Sequence, residues 1–232
     1  MSNKSPNLEM LAVVAKGLRG FKEKVAFIGG ATIDLYISYP ADAASRPTDD
    51  VDCVVELASR GKYYAVEEEL RSLGFKNSLG KGPLCRWEYR GIMVDVMPTE
   101  GRILGFSNRW YPDGLANTET AVLLDGQKIQ IFSAPYLLAS KIEAFLDRGK
   151  GDFHASADIE DIVALLDGCP GLKEKIQRAP DDVRSYLAEK FQAFLEQPRF
   201  IENLPGHVLD RANAPFRAER VQTLLKALSS RS

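Results

Sequence analysis

Hydrophobic and polar positions alternate along this chain with two different periods, and the period changes partway. Val25-Ala26-Phe27-Ile28 is a short apolar run that predicts a buried strand, and Gly29-Gly30 closes it before a helix predicted over Ala31 to Ile37. A second strand is predicted over Val51 to Glu56 and a third over Lys128 to Phe132. Leu84 to Tyr89 and Ile92 to Met97 form a predicted hairpin around Arg90-Gly91. Helical spacing predicts amphipathic helices near Asn7 to Phe21 and over Lys62 to Leu73, the latter ended by Gly74. A loop rich in Pro, Ala and Asp covers Pro40 to Asp49. Residues 99–132 carry the weakest pattern, with Trp110-Tyr111-Pro112 readable as an aromatic wall for a base or as core packing. From Pro135 onward helices dominate, broken near Pro170, Pro180, Gln197-Pro198 and Pro215. The fold class expected is α+β, a mixed-sheet domain over residues 1–132 followed by a helical domain over 133–232.

Chemistry concentrates in the strands. In a strand, residues two apart share a face, so Asp50 and Asp52 project together while Val51, Cys53 and Val55 enter the core. Asp95 is the only charge in Ile92-Met93-Val94-Asp95-Val96-Met97, where burial without a partner is costly. Three carboxylates on neighbouring strands call for a cation. Magnesium prefers hard oxygen ligands, and two ions about 4 Å apart suit phosphoryl transfer, with manganese as an alternative metal. An Asp-x-Asp alone also marks turns, solvated strand ends and glycosyltransferases. The glycine pair upstream and the later apolar strand around Asp95 shift the reading to a nucleotide site. Gly29 and Gly30 let the backbone approach a ligand, the helix start behind them offers N–H groups to phosphate, and Thr32 adds a hydroxyl. No third glycine completes a dinucleotide fingerprint and no Gly-Lys-Ser/Thr phosphate loop occurs, which excludes two large enzyme classes.

The helical half carries a second constellation. Between Pro135 and Arg148, Leu138, Ile142 and Phe145 form a core stripe, while Lys141 and Arg148 share another stripe suited to a triphosphate. A solvated face paired with Glu143, Asp147 or Glu160 is the alternative for these cations. Asp158 and Asp161 lie one turn apart on a helix whose buried stripe is Ile159, Ile162, Val163 and Leu166. They orient Lys141 or Arg148, or else cap a helix start after Ser156.

Taken together, Gly29-Gly30, Arg46-x-Thr48-x-Asp50-x-Asp52 and Asp95 between hydrophobic residues resemble the DNA-polymerase-beta-type nucleotidyltransferase superfamily. The closest likeness is to its AbiEii/MenT-like toxin branch, because Ser140 to Arg148 and Asp158 to Ile162 are similar to that branch's Lys-x-x-Ala-x-x-x-Arg and Asp-x-x-Asp motifs. The resemblance spans roughly Val25 to Gly168. Two positions depart from the pattern: Ala31 stands where many members have serine, and Ala157 where the branch often has lysine. The resemblance implies a nucleotidyltransferase core and a helical region completing the nucleotide cleft. It implies catalysis by Asp50, Asp52 and Asp95 holding two Mg2+ ions, Asp95 also taking the proton of the attacking hydroxyl. It further implies nucleotide binding by Gly29, Gly30, Thr32, Arg46, Thr48, Lys141, Arg148 and Asp161. An NTP such as ATP would lose pyrophosphate to an acceptor hydroxyl, a tRNA 3′ end or another RNA, under control of a cognate antitoxin. Relatives outside the branch modify small molecules or proteins, and a non-catalytic binding module of the same fold is the other alternative.

Composition sets bounds. A chain of 232 residues, 45% hydrophobic, buries a proper core without stapling. Its three cysteines, Cys53, Cys85 and Cys169, are odd in number and show no Cys-x-x-Cys spacing, so a disulfide framework or zinc site is not expected and a reducing cytoplasm is. The N-terminus shows no signal core, and its longest apolar run, Met10 to Ala15, is far short of a membrane span. Net charge is −2, yet residues 211–232 hold Arg211, Arg217, Arg220, Lys226 and Arg231 against Glu219 alone. Residues 1–24 are also basic, and both ends permit phosphate contacts without requiring them. His154 and His207 are isolated and are expected in loops.

Overall fold

The computed structural model describes residues 5–38, 45–57, 60–78, 84–101, 103, 108–149 and 151–229. Residues 40–44 of the loop expected over Pro40 to Asp49, together with Lys4 and Arg231, lie outside them. The chain divides into two compact units, one of residues 4–32 and 46–133, the other of residues 1–3, 33–45 and 134–232.

The first unit is built on a mixed sheet. Helix α1 (Pro6–Gly17) leads into β1 (Val25–Ile28) and then β2 (Asp50–Val55), which pair antiparallel. Next come α2 (Arg60–Ser72), β3 (Lys76–Asn77), β4 (Arg86–Tyr89), β5 (Ile92–Pro98), α3 (Tyr111–Ala116), β6 (Thr118–Val122) and β7 (Lys128–Phe132). Among the described residues the strand order is β3-β4-β5-β2-β1-β7-β6, with β2/β5 and β1/β7 parallel and the other neighbours antiparallel. The central strands are the apolar runs, and Val51, Cys53, Val54, Val55, Val94 and Val96 are all buried. The turn between β4 and β5 is Arg90-Gly91, both at positive φ, the two-residue geometry whose twist matches a hairpin.

Two details revise the pattern-based expectations, and a third bears out the core-packing reading of Trp110. The first helix stops at Gly17, short of Phe21, and Gly17 is needed there because a Cβ would meet the Tyr89 ring at 2.6 Å. The element after the glycine pair is a 3-10 helix over Gly30–Leu35, not an α-helix through Ile37. Trp110 is core: it is fully buried, with the Arg109 guanidinium 4.9 Å from its ring centre, and Tyr111 donates its hydroxyl to Met97 Sδ.

The second unit is helical: α4 (Ala134–Arg148), α5 (Ala157–Gly168), α6 (Leu172–Gln177), α7 (Asp181–Leu195), α8 (Pro198–His207) and α9 (Ala214–Ser229). The predicted stripes face inward, with Leu138, Ile142 and Phe145 of α4 and Ile159, Ile162, Val163 and Leu166 of α5 all buried. Each such large side chain contributes about 1.5–3 kcal/mol on burial. An aromatic cluster of Phe145, Phe153, Phe194 and Phe200 joins α4, α7 and α8. His207 is not a loop residue: it ends α8, is buried, and its Nε2 lies 2.8 Å from the Phe153 carbonyl. Among the described residues no helix is long and apolar enough to cross a membrane.

Candidate active site

Strand register assembles the acidic cluster. Asp52 on β2 pairs with Asp95 on β5, and Asp50 stands two residues before Asp52, so the three share one face. Val51 and Cys53 point the other way and are buried, as the alternation predicts. One carboxylate oxygen from each of Asp50, Asp52 and Asp95 lies within 4.8 Å of the other two. Asp95 is only 8% exposed, the two β2 carboxylates more so.

Backbone and hydroxyl groups set the two β2 carboxylates. Thr48 donates its hydroxyl to Asp50 Oδ1 at 3.1 Å. The Thr48 segment is itself clamped by Asn7, which is buried; its Nδ2 donates to the Arg46 carbonyl at 2.9 Å and its Oδ1 accepts from the Thr48 amide at 3.1 Å. Gly29 has φ +79, and a Cβ there would stand 2.0 Å from Asp52 Oδ2. Glycine is therefore required twice, for the left-handed backbone and for the space that Asp52 fills. Thr32 donates its hydroxyl to the Gly29 carbonyl at 2.8 Å and is completely buried. Its hydroxyl proton supports the turn.

One residue of the cluster escaped the sequence reading. Arg86, on β4, is the register partner of Asp95. Its Nε donates to Asp95 Oδ1 at 2.8 Å, and its Nη2 donates to Asp95 Oδ2 at 2.7 Å and to Asp50 Oδ2 at 2.9 Å. The hydrogen bonds it donates to Asp95 hold the guanidinium pKa above even its usual high value, with the charges of Asp95 and Asp50 adding to them against the cost of burial. Burial, with Asp52 and Asp95 nearby, likewise raises the Cys53 thiol, and burial first among its causes pushes Cys85 up to about 12. Both thiols stay protonated core groups and offer no nucleophile.

The donor set tests well against a divalent cation. It is made of carboxylate oxygens alone, the chemistry of magnesium or manganese sites. Among the described residues the Arg86 guanidinium answers Asp50 and Asp95.

In the helical unit the second constellation also comes together. Lys141, 7% exposed, places Nζ 2.6 Å from Asp161 Oδ2 and 3.3 Å from Asp158 Oδ1. Arg148 forks onto Asp158, Nε to Oδ2 and Nη2 to Oδ1, both at 3.0 Å. Burial pushes the Asp158 carboxyl up, but the Arg148 hydrogen bonds and the Lys141 charge outweigh it and hold it below the ordinary value. Asp158 thus orients both cations, and the cap of α5 is Ser156, whose hydroxyl accepts from the Ile159 amide.

No protein-family model matches the sequence, and no curated protein does. Solved structures do match. An antigenic nucleotidyltransferase-like protein from Paracoccidioides brasiliensis superposes with a TM-score of 0.52 at 22% identity, covering 81% of this chain and 88% of that one. The antibiotic-resistance factor ANT(2'')-Ia superposes with a TM-score of 0.51 at 15% identity, covering 83% of this chain and 96% of that one. The likeness is one of fold: the chain has a nucleotidyltransferase-like α+β architecture that carries an acidic triad on its central strands.

Proposed function

We propose that this chain is a divalent-metal-dependent nucleotidyltransferase that moves a nucleotide from an NTP to an acceptor hydroxyl with release of pyrophosphate. The observation that carries the reading is the convergence of Asp50, Asp52 and Asp95 within 4.8 Å on a fold of this type. In it, Asp50 and Asp52 would hold two Mg2+ ions, or Mn2+ in their place, and Asp95 would complete the set. A divalent pair supplies charge neutralisation for the phosphates and a more acidic attacking hydroxyl. Asp95 receives the proton of that hydroxyl at a carboxylate oxygen. Thr48 fixes Asp50, and the Gly29-Gly30 turn brings backbone close to the phosphates while leaving Asp52 its space. On the motif resemblance, Thr32, Arg46, Thr48, Lys141, Arg148 and Asp161 are retained as nucleotide-binding residues, Thr32 also supporting the glycine turn.

The same resemblance favours an RNA acceptor, a tRNA 3′ end first, and a toxin's role opposed by a cognate antitoxin. The test is incubation of the full chain with each labelled NTP, Mg2+ and total RNA, beside Asp50→Asn. Label is expected on RNA with the unaltered chain and at least about a hundredfold less with the variant, since a lost metal ligand removes several kcal/mol of transition-state stabilisation. Transfer to a small hydroxylated compound instead of RNA rejects the RNA acceptor. Absence of transfer to any acceptor, with Mg2+-NTP still bound equally by both proteins, rejects the enzyme and leaves a binding module.

A further inference from the structure

Arg86 reaches farther than a local ion pair needs to. Its strand neighbour is β5, and a fork onto Asp95 would satisfy the guanidinium there. Nη2 nonetheless also donates across to Asp50 on β2, the strand beyond β5. Arg86 therefore engages both oxygens of Asp95 and one of Asp50, so whichever oxygen Asp95 would offer to an ion is already hydrogen-bonded to the guanidinium. A guanidinium and a divalent ion placed on the same oxygens stand within a few ångströms of one another and repel.

We propose that Arg86 is a resident counter-cation of Asp50 and Asp95, a positioning residue that holds these two carboxylates together before an ion binds and competes with that ion for them. Arg86 lowers the like-charge repulsion between Asp50 and Asp95 on adjoining strands, so these two are held in place without metal. Ion binding then requires Nη2 to leave Asp50, and divalent affinity is set by the difference between two occupied states of the same oxygens. A side chain 27% exposed at the edge of the cluster has solvent to turn into when it is released. This role rests on the triad being a divalent-cation site and not on nucleotide transfer.

The test uses the full chain without nucleotide. Mn2+ is titrated into the unaltered protein, Arg86→Met and Arg86→Lys, with bound ion read from the loss of the free-ion paramagnetic signal and melting followed in chelator and in Mn2+. Arg86→Met is expected to melt lower than the unaltered chain in chelator and to bind Mn2+ roughly tenfold more tightly, since the ion no longer displaces a charge-assisted hydrogen bond. The melting gap should then close as Mn2+ is added. Arg86→Lys keeps the charge and loses the fork, and is expected between the two. Equal or weaker Mn2+ binding by Arg86→Met overturns the proposal. If that variant does not fold in chelator, Arg86→Lys decides, and affinity no tighter than that of the unaltered chain has the same consequence. Tighter Mn2+ binding by the variants, with no transfer by the unaltered chain to any acceptor, keeps Arg86's role and removes the nucleotidyltransferase reading. Transfer by the unaltered chain with unchanged Mn2+ affinity in the variants does the reverse.

Discussion

Gly29 shows how a residue without a side chain specifies the position of one that has chemistry. Two costs meet in Gly29→Ala: a left-handed backbone at φ +79, worth roughly 1 kcal/mol for alanine, and a Cβ that overlaps Asp52 Oδ2 and crowds its Cγ at 2.8 Å. The carboxylate is the softer party and should turn away. Gly29→Ala is therefore expected to lose about 1–3 kcal/mol of stability and at least tenfold in Mn2+ affinity, read by denaturant melts and by ion titration. Gly20→Ala is the matched control, because Gly20 has φ +88 and nothing within 4 Å of an added Cβ. It should lose a similar backbone term and keep Mn2+ affinity unchanged; an equal fall in affinity in both would show that strain, and not the place of Asp52, is responsible.

At the scale of elements, buried polar pairs decide more than exposed ones. Lys141 is enclosed with Asp158 and Asp161, so Lys141→Met takes a cation from two buried carboxylates, Asp158 keeping the Arg148 fork, and should cost about 3–5 kcal/mol in the helical unit. Arg148 has a side chain 70% exposed, and Arg148→Ala should cost less than about 1 kcal/mol after solvent screening. The sign of the pH effect follows from Asp158. Its pKa in the folded chain is depressed, so its contribution is complete above the unfolded value of about 3.9 and is lost as pH falls through the folded value. Asp158→Asn should be less stable at neutral pH, yet lose less on acidification, with exchange of α4 and α5 amides as the readout. Legibility also follows burial. Strands β1, β2, β5 and β7 and helices α4 and α5 announced themselves because each buries a continuous run or stripe. Thr118–Val122 did not, since edge strand β6 is polar and largely exposed and only its pairing to β7 makes it a strand. Arg86 was within reach of the sequence: a two-residue turn at Arg90-Gly91 fixes the register Tyr89↔Ile92 and so sets Arg86 opposite Asp95. Asn7 carried no such signal, because its partners at Arg46 and Thr48 are backbone groups far along the chain.

Charge is a property of the whole molecule, and its bookkeeping changes once ion pairs are known. The basic C-terminal segment looked like one patch, but Arg217 is mostly buried and donates to Asp167 Oδ2 at 2.8 Å, with Asp210 at 3.8 Å, while Arg211 donates to the Gly206 carbonyl. Those two cations hold α9 and its approach in place. Arg220 and Lys226 of α9 are exposed, with Lys173 lining the same groove as Arg220. An RNA acceptor attracted by this segment would meet exposed cations such as Arg220, Lys226 and Lys173, and the attraction should weaken with salt. Combined Arg220→Ala and Lys226→Ala is expected to weaken RNA binding several-fold at low salt, to flatten its salt dependence by about one to two counterions, and to leave melting unchanged within about 0.5 kcal/mol. Arg217→Ala should do the opposite, because it leaves Asp167 without a partner that is 2.8 Å away, and so costs stability while leaving the salt slope alone. Filter binding across a salt series beside melting curves separates the two. A salt slope that Arg217→Ala changes and the double substitution does not would place the RNA contact, or its absence, somewhere other than the exposed face of α9.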